Sequence, residues 1–210
     1  MKIPKDLAAG YHRFREERFA VEAERYRALA QGQRPRTMVI ACADSRVDPA
    51  GIFSAAPGEM FIVRNVAALV PPYEESGTYH GTSAAIEFAV ERLEVTNIVV
   101  MGHGLCGGIA AALAATDNRP VGRFIGPWVD LISGIRDTML GQSPACPACD
   151  HQKALEHLAV QHSLRNLGTF PFVRAAVASG RLALHGAWFS IAEGELQWLD
   201  AHGNFDPIPA

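Results

Sequence analysis

The sequence predicts an α/β fold: a mainly parallel central β-sheet flanked by helices. Two short apolar, β-branched runs, Met38-Val39-Ile40-Ala41 and Ile98-Val99-Val100-Met101, have the composition of strands buried on both faces. Longer helical segments separate them, and strands alternating with helices build parallel sheets through crossover connections. Each run is followed at once by a cysteine- or histidine-bearing turn, and the carboxyl edge of such a sheet is where ligands bind.

Taken in order, residues 1–30 carry Tyr11, Phe14, Phe19, Val21, Ala23 and Tyr26 among Arg and Glu, an amphipathic pattern of one or two helices with no core of their own. The first strand at 38–41 follows. Residues 82–94 read as a helix with Ala84, Ala85, Phe88, Ala89 and Leu93 facing inward, leading into the strand at 97–101. A further helix opens at 107–116. Another covers 150–166 and precedes Phe170-Pro171-Phe172-Val173, which takes the strand place in the same alternation. Residues 182–191 form a late strand, with 195–199 across the turn Glu193-Gly194. No internal repeat or low-complexity tract interrupts this order.

The 210 residues, about half of them hydrophobic, suit one domain spanning 1–210, with 1–30 as a helical arm. A formal charge of −3 provides no basic patch for nucleic acid and no polybasic membrane anchor. No apolar stretch approaches the roughly 20 residues of a membrane span. The first residues mix Lys and Arg with Glu and lack a hydrophobic signal core, so a cytoplasmic protein is expected.

The chemistry concentrates in Cys42-Ala43-Asp44-Ser45-Arg46 and His103-Gly104-Leu105-Cys106-Gly107-Gly108. Together these stretches offer two thiolates and one imidazole to a single ion. Taken singly, a cysteine at a strand end is most often a small buried hydrophobe, and a lone histidine an ordinary core or surface residue. Their conjunction points to a metal. A Cys₂His set without a fourth protein ligand is the pattern of a catalytic zinc site, and soft thiolates favour zinc over magnesium or calcium. Arg46 has the donor fork to hold Asp44 in bidentate fashion, which keeps the carboxylate ionised and turned away from the metal.

Cys146 and Cys149 form a C-x-x-C in a proline-rich stretch. Its spacing is open to a metal site, a redox pair or a variable loop, without the second ligand pair of a zinc knuckle. Among the remaining histidines, His80 is the candidate proton shuttle.

The two stretches match C-x-D-S-R and H-x-x-C-G-G, the signatures of the β-class carbonic anhydrases, and on these residues the chain resembles that family. The likeness extends through Pro57-Gly58-Glu59, Phe61-Ile62-Val63-Arg64-Asn65-Val66-Ala67, Gly81-Thr82-Ser83-Ala84-Ala85-Ile86-Glu87 and His185-Gly186-Ala187-Trp188. The resemblance implies that Cys42, His103 and Cys106 bind one zinc ion and that Asp44 and Arg46 form a catalytic dyad. It implies reversible hydration of carbon dioxide to bicarbonate. It also implies N-terminal helices that pack on a partner subunit in a homodimer or a higher oligomer, and a substrate pocket at Gln33, Phe61, Val66, Phe88 and Gly107. Phe88 stands where the family usually has Tyr.

Some family members close the site when bicarbonate fills a noncatalytic pocket of Trp, Arg and Tyr. Those positions read Val39, Arg64 and Phe189 here, and neither Val nor Phe can donate the required hydrogen bonds. An open, plant-like site without a bicarbonate switch is the expectation. The alternatives are hydrolysis of carbon disulfide or carbonyl sulfide on the same scaffold, and a noncatalytic zinc- or bicarbonate-sensing role. An intact Asp44 and Arg46 argue against the last.

Overall fold

The computed structural model describes residues 3–76, 80–115, 121–142 and 150–209. Its centre is one six-stranded sheet in the order β2-β1-β3-β4-β5-β6. Strands β1 (Thr37–Cys42), β2 (Met60–Asn65), β3 (Asn97–His103) and β4 (Ala183–Ser190) are parallel. Strands β5 (Glu195–Leu199) and β6 (Phe205–Pro207) extend the sheet antiparallel. The parallel part is thus as expected, and the short turn after Ser190 is what reverses the chain.

Helices α4 (Gly81–Glu87), α8 (His151–Leu167) and α9 (Pro171–Ala178) lie over one face, where Met38, Ile40, Ile86, Ile98, Val100 and Phe170 are buried together. At roughly 1.5–3 kcal/mol for each large apolar side chain removed from water, this cluster is a main source of stability. Val39, Ala41, Val99, Met101 and Ala187 are buried on the opposite face, beside α3 (Pro49–Ile52), while Met60, Ile62, Leu196 and Trp198 around them remain partly exposed. Helices α5 (Gly107–Ala114), α6 (Ile125–Val129) and α7 (Ser133–Gln142) add a third cluster around Cys42, Cys106, Ile109 and Ile132.

The sequence expectation is corrected at two elements. Phe170-Pro171-Phe172-Val173 begins α9 instead of a strand, because Pro171 occupies the first helical position, where its missing N–H costs nothing. In the helix at 81–92, whose last turn widens after Glu87, the inward face is Ile86, Ala89 and Val90; Ala84 and Phe88 point outward, with Phe88 44% exposed. Residue 116, the expected end of the helix opening at 107, and the cysteines Cys146 and Cys149 lie outside the described residues.

The N-terminal arm consists of α1 (Lys5–Arg13), a wide turn over Phe14–Phe19 and α2 (Ala20–Leu29), none with a buried residue. Phe14, Phe19 and Tyr26 pack on one another, with centroids 5.3–6.1 Å apart. The arm meets the body at an Arg25–Glu59 ion pair and where Leu29 covers Gly58.

Candidate metal centre

Strand β1 leads on to β2 at one side and β3 leads on to β4 at the other, so the crevice at the carboxyl ends of β1 and β3 is the topological switch point of the sheet. Cys42 ends β1, His103 ends β3, and Cys106 lies one turn further at the start of α5. Their ligand atoms lie within 4.8 Å of one another, and all three residues are buried. The Gly-rich turn lets the chain come this close: a Cβ on Gly108 would sit 2.7 Å from Val66 and 2.9 Å from the Ala67 Cβ.

His103 shows which atom is free to coordinate. Its Nδ1 lies 2.9 Å from the Gly104 carbonyl, which can only accept, so Nδ1 carries the proton and Nε2 presents its lone pair. That Nε2 is buried and has no hydrogen-bond partner. A buried polar atom without a partner is costly unless something meets it. The donor set of two sulfurs and one imidazole nitrogen fits a soft or borderline cation such as zinc.

The two cysteine sulfurs lie 3.9 Å apart, within hydrogen-bond reach of each other. Cys42 is pushed down to about 4, first by the hydrogen bond from Cys106 and then, against burial, by His103 and backbone N–H groups. Cys106 is pushed up by its bond to Cys42 and by burial, although the Gly108 and Ile109 N–H groups of the first helical turn favour its thiolate. Burial alone would lower His103; the neighbouring Cys42 sulfur and the Gly104 carbonyl outweigh that and raise it.

Asp44 and Arg46 stand at the rim of this cluster. Arg46 Nε donates to Asp44 Oδ1 at 2.9 Å and Nη2 to Oδ2 at 2.7 Å, and the Arg46 backbone N–H adds a third bond to Oδ1 at 3.0 Å. These bonds hold the Asp44 carboxyl well below the usual range, while its Oδ2 remains 3.9 Å from His103 Nε2. Arg46 Nη2 also donates to the Leu105 carbonyl at 3.1 Å, tying the two motif loops together.

Arg64, noted in sequence only as the remnant of a bicarbonate pocket, donates to the carbonyls of Cys42, Asp44 and Val47 and lies 3.7 Å from Asp48. It braces the loop that carries Cys42 and Asp44. Val39 is fully buried in the sheet, and the Phe189 carbonyl accepts the Gly104 N–H at 2.9 Å.

The expected pocket residues separate into two groups. Val66 lies against Gly108, and Gly107 adjoins Cys106 with open space where its side chain would be. Phe61 and Phe88 pack together with centroids 5.8 Å apart, and Phe88 faces outward. Gln33 is exposed in a groove with Leu29, Gly32 and Gly58 at the base of the arm. His80 pairs through Nε2 with the Ser76 carbonyl at 2.8 Å.

Sequence reasoning missed Glu156, a 2%-exposed carboxyl on α8 that accepts the Cys106 N–H. The signal was present: Glu156 falls on one helical stripe with Val160, Ser163 and Leu167, where an apolar residue is the rule.

Comparison with known proteins gives one consistent result. A family model described as carbonic anhydrase matches residues 37–196. Beta carbonic anhydrase 5, chloroplastic, from Arabidopsis thaliana is 37% identical over 189 residues, 90% of this chain and 62% of that protein. The chain therefore spans less than two thirds of that curated relative. The structure of the beta-carbonic anhydrase CcaA superposes with a TM-score of 0.89 at 30% identity, covering 97% of this chain and 98% of the other. A tetrameric beta-carbonic anhydrase of Sordaria macrospora matches with a TM-score of 0.75 at 30% identity, covering 93% of each chain.

Proposed function

Because the chain belongs to the carbonic anhydrase family, in its β class, we propose that it hydrates carbon dioxide reversibly to bicarbonate and a proton, with one zinc ion held by Cys42, His103 and Cys106. The observation that carries this reading is the unpartnered, buried Nε2 of His103 facing two cysteine sulfurs. When bound, zinc supplies a Lewis acid that makes water acidic enough to yield a nucleophile near neutral pH.

The protein's own side chains do the rest. Held ionised by Arg46, Asp44 can only accept hydrogen bonds, so a neighbouring O–H must turn its proton toward the carboxylate and its lone pair elsewhere. The closed Asp44–Arg46 pair supports an open site, and the engagement of Arg64 with three carbonyls supports the absence of a bicarbonate switch. Phe61, Val66 and Phe88 offer the apolar wall suited to an uncharged gas, with Gln33 as an amide donor brought in from a second copy.

A homodimer is supported by the arm without buried residues and by the outward Phe88 and Val66. No helix among the described residues is long and apolar enough to cross a membrane. Two free buried thiols in the site suit a reducing compartment, which supports a cytoplasmic location.

Stopped-flow hydration of carbon dioxide by zinc-loaded protein, beside a Cys42→Ser control, tests the function. Rapid hydration that disappears in the control is expected. Stoichiometric zinc without hydration would move the assignment to carbon disulfide or carbonyl sulfide, or to a noncatalytic zinc- or bicarbonate-sensing role.

A further inference from the structure

Both ends of one peptide unit at the metal centre are gripped from opposite sides. The Leu105 carbonyl accepts from Arg46 Nη2 at 3.1 Å, and the N–H of the same peptide, that of Cys106, donates to Glu156 Oε1 at 3.0 Å. Gln152, one turn earlier on α8, donates through Nε2 to the Cys106 carbonyl at 3.0 Å and to Glu156 Oε1 at 2.8 Å. The indole N–H of Trp188 on β4 completes the carboxyl at Oε2, 3.1 Å away.

Leu105 needs this grip. Its φ of 56° lies in the left-handed region, which a bulky residue occupies only when its surroundings enforce it. The side chain is 66% exposed, so packing cannot enforce it. What fixes the turn is therefore hydrogen bonding to the peptide that follows.

We propose that Glu156 is a positioning residue of this centre. By holding the Leu105–Cys106 peptide it sets both the direction of the Cys106 thiol and the place where Arg46 meets Asp44. Without the carboxyl, three N–H groups lose their acceptor, two of them in the buried interior, and the strained turn is free to relax toward negative φ. Such a change carries Cys106 away from Cys42 and takes the Leu105 carbonyl from Arg46. The assignment rests on the zinc reading above, and it adds a residue that touches neither metal nor substrate.

The test compares zinc transfer to a chelator and the visible spectrum of the cobalt-loaded protein, including its thiolate-to-cobalt band, in the wild type, Glu156→Ala, Glu156→Gln and Gln152→Ala. Val173→Ala, a core cavity in α9, controls for general destabilisation. Glu156→Ala is expected to release zinc about 10–100-fold faster and to shift the cobalt band, the usual effect of removing a partner that orients a ligand. Glu156→Gln retains one acceptor oxygen for the Cys106 N–H and is expected to fall between. Gln152→Ala, at a half-buried position, moves in the same direction by less and decides the matter if Glu156→Ala does not fold. Val173→Ala is expected to melt lower with wild-type zinc release.

Wild-type zinc release and an unshifted band in Gln152→Ala and in folded Glu156→Ala would overturn the assignment, as would equal acceleration in Val173→Ala. A wild type that takes up neither metal would overturn the zinc reading itself, and the positioning role with it.

Discussion

Arg46 makes bonds to two carboxylate oxygens and to the Leu105 carbonyl, yet its side chain is 48% exposed. Exposed ion pairs contribute little to stability, so Arg46→Gln should leave the denaturation midpoint nearly unchanged. Activity should respond far more. Freed from its bidentate clamp, Asp44 shifts relative to the cluster, and misplacement on the scale of 1 Å costs on the order of 10²-fold in rate. Stopped-flow rates and denaturant titration of the same variant measure the two effects separately. His157 behaves in the opposite way. It stacks on Phe205 and meets the edge of Trp188, with Nε2 buried and unpartnered. Burial, aided by the Lys153 charge and opposed by Asp150, pushes it down to about 4. Between about 6.5 and 4 the unfolded chain therefore binds a proton at His157 that the folded chain refuses, so stability falls as pH falls through that window. The loss is up to about 3 kcal/mol. Unfolding free energy measured against pH should lose up to one proton's worth of slope in His157→Gln, and an unchanged slope would refute the assignment.

At the scale of elements, the turn after β3 depends on where α5 can start. A Cβ on Gly108 would meet the Ala67 backbone nitrogen at 3.2 Å as well as the Val66 and Ala67 side chains, whereas a Cβ on Gly107 would meet nothing within 4 Å. The Val66–Leu69 turn cannot easily give way. Ala67 and Ala68 both have positive φ, and Asn65 ties the turn through the Leu69 N–H and carbonyl. Gly108→Ala should cost about 1–3 kcal/mol by overpacking, and Gly107→Ala should cost no more than a few tenths. Chemical denaturation of the two variants side by side decides this. The same turns explain what could be read from sequence. The spacing within each motif is local, so Cys42, Asp44, Arg46, His103 and Cys106 could be singled out before any fold was known. Helix phase is not local to the same degree. The outward turn of Phe88 depends on the widened last turn after Glu87, and Phe170-Pro171-Phe172-Val173 has strand composition but takes its conformation from Pro171 at a helix start. Glu156 was hidden for another reason: its role is set by a contact 50 residues away along the chain.

For the whole molecule, the arm poses the clearest energetic problem. Helices in proteins draw most of their stability from packing one face, yet the continuous helical stretch 5–29 buries no residue on its own chain. Ile3, Leu7, Tyr11 and Val21 are 59–84% exposed, so the arm displays apolar side chains that only another surface can cover. Val66, against Gly108 beside the metal centre, and Phe88, packed on Phe61, also face outward and need covering. In the proposed homodimer a second copy of the chain would supply both surfaces in one symmetric contact, with arm and pocket each serving the partner. The full chain should therefore sediment as a dimer, and a variant lacking residues 1–30 as a monomer. If the partner's arm carries Gln33 into the pocket, rate per chain in the full protein should fall on dilution along the same curve as the dimer fraction, while zinc content stays constant. Sedimentation velocity and stopped-flow rates over one concentration series test this together. A full chain that sediments as a monomer with undiminished rate per chain would assign the arm to its own subunit and confine the pocket to one chain.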